Sequence, residues 1–346
     1  MPLTSSWYLV VTRATESASG TFPTTSRSQT ISWNLREGVR SMRFFDHVRA
    51  ARVLVAVLAC NVASVHAQAV RQAAQQAAPV PAAVAIPRPT AAEVELVRES
   101  FEEFLASTDA ETRRVIEKYP GLLEVRPPRP NTAIVPNLAS QFQEKHEANL
   151  AVARRGDAEL LFMGDSITDF WRNEEGPFAG KPVFDRYFGH FKVANFGIAG
   201  DTTQGVLYRL QNGEGRGFHP RAVMLMIGTN NTARNTAAEI AEGIGAVVLE
   251  LQRSFPQAKI LLLGVFPRGR PNDPVRETIA EINRTIAKLH DGDAVHYLDI
   301  GDLFLAEDGS IPRDVMSDLL HPGPKGYEIW AQAVIEPLTE LMGGRP

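Results

Sequence analysis

Ser166, Asp318 and His321 are the residues whose types and spacing could support nucleophilic chemistry. A serine hydroxyl becomes a good nucleophile when a base takes its proton and a third group orients that base. Ser166 directly follows the apolar run LLFMGD, and Asp318 and His321 stand three residues apart in MSDLLHPG. At that spacing the carboxylate can turn back to the imidazole Nδ1, which leaves Nε2 for the serine. The pattern predicts attack by a serine on a carbonyl carbon.

Two further residues could stabilise the oxyanion that such an attack creates. Gly200, in NFGIAGDTT, has no side chain, so its backbone N–H can approach a ligand closely. Asn230, in IGTNN, offers a side-chain amide. Taken singly, a turn glycine and a helix cap are adequate explanations. Found on successive loops together with the serine and the Asp–His pair, they favour an oxyanion hole.

Five apolar runs of strand length alternate with helical segments and would have to position these residues. Continuous apolar strands separated by helices indicate a parallel sheet covered on both faces. We expect a three-layer, flavodoxin-like, doubly wound α/β fold with strand order 2-1-3-4-5 and an N-terminal helical appendage. Ligands of such sheets bind beyond the carboxyl ends of the strands, at the switch point between the first and third strands. Ser166 follows the first of these strands, and Asn230 follows the third. The predicted strands are 158–164, 191–197, 222–228, 259–266 and 294–300.

A secretory signal peptide is predicted from Met42 to Ala67. Arginines precede an apolar run that ends in Val65-His66-Ala67, which is the expected order of a charged region, an apolar region and a cleavage site. The apolar run is too short for a stable membrane span, so a membrane anchor is the weaker interpretation. A lipoprotein attached through Cys60 is a minor alternative. The expected location is therefore secreted or periplasmic.

The chain divides into five predicted segments. Residues 1–41 precede the signal peptide and are rich in Ser and Thr, so we interpret them as a mis-called or disordered extension and Met42 as the true start. Ala, Gln and Pro dominate the stretch after the signal peptide, which indicates a linker. Helical patterns then begin at Thr90. After residues 1–41, the predicted segments are therefore a signal peptide at 42–67, a linker at 68–89, a helical appendage at 90–138 and a catalytic domain at 139–346.

Composition and spacing exclude several classes of function. The net charge of −4 and the scattered basic residues argue against a nucleic-acid partner. The single cysteine excludes an intramolecular disulfide and a cysteine-type zinc site. The histidines other than His321 show no metal-ligand spacing, and no phosphate-binding loop motif occurs. The sequence therefore predicts neither a metal nor a cofactor.

The four sequence blocks resemble those of the SGNH hydrolases, also called GDSL esterases. Within that superfamily the likeness is greatest to the catalytic subunits of the platelet-activating factor acetylhydrolase Ib type, and it extends from about residue 155 to the C-terminus. One departure is Ile167, where the family name implies leucine. The blocks are Gly164-Asp165-Ser166, Gly200, Gly228-Thr229-Asn230, and Asp318 with His321.

The resemblance implies a role for each matching residue. Ser166 would be the nucleophile, His321 the general base and acid, and Asp318 the group that orients the imidazole. The oxyanion would be held by the Ser166 and Gly200 backbone N–H groups and by the Asn230 side chain. Ile167, Thr229 and Leu320 would line a pocket for a small acyl group, with acetyl as the natural candidate.

The sequence thus predicts an exported serine esterase that removes acetyl groups from an O-acetylated carbohydrate. A short-chain acyl lipid or phospholipid is the alternative substrate. A non-catalytic carbohydrate-binding module with the same fold is the competing class, although five matching site residues argue against it. The family likeness also hints at a homodimer. The leaving group, the oligomeric state and the role of residues 90–138 stay open at this level.

Overall fold

The computed structural model describes residues 77–118 and 130–344. The predicted extension at 1–41 and signal peptide at 42–67, with Cys60, lie outside the described residues. The described chain forms two compact units, one containing residues 88–118 and the other containing residues 77–87 and 130–344. Among the described residues, none of the helices combines the length and apolar character needed to cross a lipid bilayer.

The larger unit contains a five-stranded sheet in the order β2-β1-β3-β4-β5, with every neighbouring pair parallel. All residues of β1 and β3 are buried, as expected for central strands that are covered on both faces. The flavodoxin-like doubly wound prediction is therefore confirmed. The strands are β1 (Leu160–Gly164), β2 (Val193–Asn195), β3 (Ala222–Met226), β4 (Lys259–Leu263) and β5 (Val295–Leu298).

Nine α-helices occur in the described parts of the chain. The N-terminal unit contains α1 and α2, and the others belong to the larger unit. They are α1 (Ala91–Ser107), α2 (Ala110–Lys118), α3 (Gln143–Arg155), α4 (Ser166–Asp169), α5 (Lys181–Phe188), α6 (Thr203–Arg209), α7 (Ala237–Ser254), α8 (Pro274–Ile286) and α9 (Pro324–Leu341).

Side chains alternate across β1, which divides the core into two layers. Leu161 and Met163 pack into the layer that contains residues of α3, α6, α7 and α8. Leu160 and Phe162 point to the opposite face and pack with residues of α5 and α9, including Trp330. This period of two along the strand makes an unbroken apolar run suitable for burial on both faces.

Local sequence signals set the ends of several helices as predicted. Thr90 and Glu93 form a capping box at the start of α1. Gly156 ends α3 with φ at 75°, a conformation that favours glycine. Asp109 caps the start of α2, because its Oδ1 accepts the backbone N–H of Thr112 at 2.8 Å.

The predicted linker is wrong for residues 77–87, which belong to the larger unit. Ala78 and Val84 are buried in the core, and the Ala78 N–H donates to the Ile134 carbonyl at 2.7 Å. Short side chains allow this segment to approach α7 closely, because Gly245 leaves the space that Val84 occupies. A Cβ at Gly245 would lie 2.6 Å from a Val84 methyl carbon. Small residues here serve close packing rather than flexibility.

The predicted appendage at 90–138 also ends too late, since residues 130–138 belong to the larger unit. Asn131 is buried and donates to both the Glu239 carbonyl and the Glu242 carboxylate at 2.9 Å. The Thr203 hydroxyl donates to the Ala133 carbonyl at 2.8 Å. These long-range polar contacts, which no local pattern encodes, attach the segment to α6 and α7.

Candidate active site

Ser166 lies at the first position of α4, immediately beyond the carboxyl end of β1. Asp165 precedes it as the N-cap, and its Oδ1 accepts the Ile167 N–H at 3.0 Å. This strand-to-helix turn places the serine at the switch point of the sheet, where crossovers leave in opposite directions. The Ser166 N–H belongs to the first turn of the helix, where helical geometry supplies no acceptor.

Ser166, His321 and Asp318 form a continuous hydrogen-bonded relay. The Ser166 Oγ lies 2.9 Å from His321 Nε2, and His321 Nδ1 lies 2.6 Å from Asp318 Oδ2. Burial alone would raise the pKa of the Asp318 carboxyl, but hydrogen bonds from the side chain and backbone of His321 outweigh it and hold that pKa below its usual value. Asp318 is therefore ionised at neutral pH and can hold the imidazole with its Nδ1 protonated.

The loop before α9 is tightly turned so that the carboxylate of Asp318 can reach back. Its Oδ1 accepts the N–H groups of Leu320 at 3.0 Å and His321 at 2.8 Å. Leu319 has φ of 63°, the left-handed region that costs a non-glycine residue on the order of 1 kcal/mol. Its carbonyl accepts the Gly269 N–H at 2.8 Å, which helps to hold this conformation.

Gly200 follows β2 and presents a free backbone donor. Its φ of 86° lies in the region where glycine carries no steric penalty. Within the described part of the chain its N–H has no hydrogen-bond acceptor. The loop is fixed to the end of β1, because the Ile198 N–H donates to the Gly164 carbonyl at 3.2 Å. Gly200 therefore has the donor that the predicted oxyanion role needs.

Asn230 lies in the single 3-10 turn Thr229–Ala233 that follows β3. Its Nδ2 donates to the Asp201 carbonyl at 2.8 Å, which joins the loop after β3 to the loop that contains Gly200. A primary amide carries two N–H groups, so one donor remains after this bond. The structure thus brings the two predicted oxyanion residues together on adjacent loops.

A buried ionic network supports the loop around Asp201. The Asp201 carboxylate accepts two hydrogen bonds from Arg209, at 2.9 and 2.8 Å, and Arg209 also pairs with Glu214. Glu214 in turn bonds His146 Nδ1 at 2.8 Å. Buried charges survive only when they are paired in this way. Sequence reasoning missed the network because its members are spread over two helices and a loop.

The three predicted acyl-pocket residues differ in exposure. The side chains of Ile167 and Thr229 are each 1% exposed, and Leu320 is half-buried. Ile167 packs within the core layer, with its carbonyl accepting the Tyr327 hydroxyl at 2.8 Å. Residues this tightly packed can border only a small acyl group, and their role in substrate binding stays a prediction.

Two phenylalanines that the sequence did not single out pack against the imidazole of His321. The ring centroids of Phe170 and Phe178 lie 5.1 and 5.2 Å from the His321 ring centroid. The Phe170 and Phe178 rings stack on each other, with centroids 5.9 Å apart, so together they form one apolar wall against which the imidazole packs. The position of Phe170, one helical turn after Ser166, was the available signal, because residues four apart share a helix face.

Arg268 also lies close to the site. Of the three arginines that follow β4, which are Arg268, Arg270 and Arg276, only Arg270 is exposed. Arg268 is half-buried and donates to the hydroxyl of Thr229 at 3.3 Å. Arg276 is half-buried and donates to the Gly309 carbonyl at 3.0 Å. Arg268 thus adds a positive charge beside the loop that follows β3.

Asp165, beside the serine, is a fully buried carboxyl. Burial raises its pKa to about 7, against the lowering effect of the Ile167 N–H and with a further increase from the nearby Asp201 carboxylate. Its Oδ2 has no hydrogen-bond partner in the structure. A protonated oxygen is less costly to bury than an ionised one, so Asp165 favours the neutral form when the protein is folded.

Replacing Asp165 by asparagine should make stability less dependent on pH. Below the ordinary carboxyl pKa of 3.8, Asp165 is protonated in both the folded and the unfolded wild-type chain, and its contribution to the unfolding free energy is fully present. As the pH rises through about 7 that contribution is lost, because the folded chain must then bury a charge. Asp165→Asn keeps the Oδ1 acceptor and has no proton to lose.

We therefore expect Asp165→Asn to gain about 4 kcal/mol in unfolding free energy relative to wild type between about pH 4 and about pH 7. Urea denaturation at several pH values would measure the difference. The exposed Asp157→Asn is the matched control and should follow wild type. Parallel stability profiles for wild type and Asp165→Asn would show that Asp165 does not titrate in this range.

Comparison with known proteins identifies relatives of this site. The model of the GDSL-like Lipase/Acylhydrolase family matches residues 162–329. Platelet-activating factor acetylhydrolase IB subunit alpha2 of Rattus norvegicus is 34% identical over 222 residues, covering 61% of this chain and 90% of that protein. The alpha1 subunit of the same species is 33% identical over 203 residues, covering 58% of this chain and 84% of that protein.

Among solved structures, Axe2, an acetylxylan esterase from Geobacillus stearothermophilus, is 23% identical with a TM-score of 0.41. It covers 56% of this chain and 97% of its own. The identity to the acetylhydrolase subunits, over nine-tenths of the length of the alpha2 subunit, establishes the family. This chain belongs to the GDSL-like lipase/acylhydrolase family of SGNH hydrolases, and it is a carboxylic ester hydrolase.

Proposed function

We propose that this protein is an exported serine esterase that removes acetyl groups from an O-acetylated carbohydrate through an acyl-enzyme intermediate. The observation that carries the catalytic part is the relay from Ser166 Oγ through His321 to Asp318, with both hydrogen bonds formed. A serine, an imidazole and a carboxylate in this order make up the arrangement that activates a hydroxyl for acyl transfer.

In the first half of the proposed reaction, Ser166 Oγ attacks the ester carbonyl carbon while His321 Nε2 takes the hydroxyl proton. The carbonyl π electrons move to oxygen, and the Ser166 and Gly200 N–H groups with the Asn230 amide stabilise the oxyanion. The carbonyl then re-forms, the bond to the alcohol oxygen breaks, and His321 returns the proton to that oxygen. The alcohol leaves, and the acyl group stays on Ser166.

In the second half, water attacks the acyl-enzyme. His321 Nε2 takes a proton from the water as its oxygen bonds to the carbonyl carbon. When this second tetrahedral species collapses, the bond to Ser166 Oγ breaks and His321 protonates that oxygen. A carboxylic acid is released and the free serine is restored. Asp318 stays ionised throughout and stabilises the imidazolium that forms in each half.

An acetyl group is favoured by the packing next to Ser166. Ile167 and Thr229 are almost completely buried, which leaves little room for a long acyl chain. The related subunits are named as acetylhydrolases, which agrees with a short acyl group. Their name also specifies platelet-activating factor, so an acetylated ether phospholipid is the second candidate substrate.

Export supports the choice of carbohydrate over lipid. The expected signal peptide from Met42 to Ala67 would deliver the protein to the periplasm or the medium, where acetylated polysaccharides occur. N-terminal sequencing of the protein from its native host tests this part directly. A mature chain that begins close to Gln68 is expected, and one that begins near Met1 would contradict export by this route.

A panel of esters would test the acyl group and the alcohol separately. For p-nitrophenyl acetate, butyrate and octanoate, we expect kcat/KM to be highest for acetate and at least about tenfold lower for octanoate, because extra methylenes would have to fit beside the buried Ile167 and Thr229. Acetate release from acetylated xylan should exceed that from an acetylated ether phospholipid, with Ser166→Ala as the blank. Faster octanoate hydrolysis would refute the acetyl preference, and faster phospholipid hydrolysis would favour the second candidate.

A further inference from the structure

A cavity of about 480 Å³ adjoins the two predicted oxyanion residues. Gly200 and Asn230 line one side of it, and the segment around Gln141 lines another. It does not include Ser166 or His321, so it extends away from the nucleophile along the carboxyl edge of the sheet. Its size suits one sugar ring and part of a neighbouring ring.

Several polar side chains around this cavity are unused by the protein. Asn137, Gln141 and Arg234 have no side-chain hydrogen bond or ion pair among the described residues. Gln204 uses only its Oε1, which accepts from Asn231 at 2.9 Å, so its Nε2 remains free. Donors and acceptors left open around a concave surface are suited to a ligand rich in hydroxyl groups.

The inner wall that carries these groups is fixed. Asn231 accepts the Thr203 N–H at 3.1 Å and donates to Asn235 at 3.2 Å. Asn235 also donates to the Thr132 hydroxyl at 3.0 Å. The hydrogen-bonded amides of Asn231 and Asn235 therefore hold this wall in place. The side chains with free donors and acceptors lie on a surface that loses little conformational entropy when a ligand binds.

An aromatic ring adds an apolar face to the polar cavity. Phe142 is half-buried, and a ring carbon lies 3.4 Å from the position that a Cβ on Gly200 would take. Gly200 therefore leaves room for this ring beside its own N–H. A ring next to hydroxyl-binding side chains suits a sugar, because a sugar ring has apolar C–H faces and polar edges.

The cavity carries one positive charge that has no anionic partner within residues 77–118 and 130–344. Asp201 and Arg234 are its charged residues. Asp201 is completely buried and paired with Arg209 at 2.8 Å, whereas Arg234 is exposed at the rim without an anionic partner among the described residues. A guanidinium in this position would bind a carboxylate in a bidentate manner. The charge therefore favours an anionic ligand over a neutral one.

From these contacts we infer that the cavity is the subsite for the alcohol part of the substrate, and that this alcohol is an acidic sugar whose carboxylate pairs with Arg234. The inference rests on the proposed function, since it assigns the leaving group of the same reaction. Asn137 and Gln141 would bind sugar hydroxyls, Phe142 would cover the ring face, and Arg234 would distinguish acidic from neutral sugars.

The test compares an O-acetylated N-acetylneuraminic acid with a neutral acetylated xylo-oligosaccharide and with p-nitrophenyl acetate. Arg234→Gln should lower the ratio of kcat/KM for the acidic sugar to that for the neutral sugar by about tenfold, because a hydrogen bond to a charged group is lost. Arg234→Lys should recover part of that ratio. The double variant Asn137→Ala/Gln141→Ala should lower both sugar values about tenfold relative to p-nitrophenyl acetate, at about threefold for each neutral hydrogen bond.

Arg253→Gln is the matched control, because it removes an exposed arginine near the end of α7, at the amino edge of the sheet. It should leave all three rates at the wild-type level. An unchanged acidic-to-neutral ratio in Arg234→Gln overturns the subsite, as does an Arg234 effect confined to an acetylated ether phospholipid. If wild type does not hydrolyse p-nitrophenyl acetate at all, the proposed esterase function fails, and the subsite fails with it.

Discussion

Ser166→Ala is expected to lower kcat for p-nitrophenyl acetate by at least about 10⁴-fold, because it removes the nucleophile of an acyl transfer and leaves only the binding and oxyanion groups. The fold should tolerate the change. The hydroxyl of Ser166 bonds His321, whose side chain is partly exposed, so its loss does not leave a polar nitrogen in an apolar core. Thermal unfolding should therefore shift by only a few degrees.

Labelling with a fluorophosphonate probe gives an independent readout of the same residue. The probe reacts only with an activated serine, so one adduct is expected on the peptide that contains Ser166. The adduct should be absent from Ser166→Ala and present in Ser107→Ala, which changes a serine on α1. Retained turnover in Ser166→Ala, or labelling at a different serine, would remove Ser166 from the nucleophilic role.

Asn230→Ala is expected to lower kcat by about 10²- to 10³-fold with little change in KM, since an oxyanion donor acts mainly on the transition state. The remaining donors are the Ser166 and Gly200 N–H groups. Steady-state kinetics with p-nitrophenyl acetate would measure the effect. Because the Asn230 amide also bonds the Asp201 carbonyl, circular dichroism and melting temperature should accompany the kinetics.

Asn212→Ala provides the matched control for Asn230. Its exposed amide donates to the Tyr208 carbonyl at 2.8 Å, which is the same kind of bond that Asn230 makes to Asp201. Loss of such a bond alone should therefore leave kcat near the wild-type value. A wild-type kcat in Asn230→Ala would exclude the residue from the oxyanion hole, and a large loss in Asn212→Ala would point to a general structural effect.

The region before the catalytic sequence blocks has a direct part in the proposed substrate site. Residues 137–142 line the cavity beside Gly200, and the preceding Asn131 is attached to α7 through Glu242. Insertion or deletion in this segment would therefore alter the alcohol subsite while the relay around His321 stays intact.

The architecture could be derived from the sequence because its signals are local and repeated. Continuous apolar runs such as 160–164 and 222–226 have the length and composition of buried parallel strands, and their alternation with helices permits few topologies. The order β2-β1-β3-β4-β5 follows from that rule. Local spacing also placed Asp318 three residues before His321, where the carboxylate meets Nδ1.

The linker prediction failed because composition reports average tendencies rather than specific partners. A stretch of Ala and Pro has no large side chain, so nothing in it indicates burial. In the structure Val84 lies against Gly245, a glycine more than a hundred residues away in the chain, and Ala78 bonds to Ile134. Small residues pack tightly when the surface opposite them is also small, and only the folded chain shows that surface.

The sequence by itself determined the sheet, the position of Ser166 at the end of β1 and the local Asp318–His321 pair, because periodicity and short spacings act within a few residues. Only the tertiary structure decided the surroundings that shape the chemistry. These are the phenylalanines that pack against His321, the burial that raises the pKa of Asp165, and the free polar groups around Arg234. Each depends on side chains from distant parts of the chain meeting at one edge of the sheet, and burial and electric field are properties of that assembly rather than of any single segment.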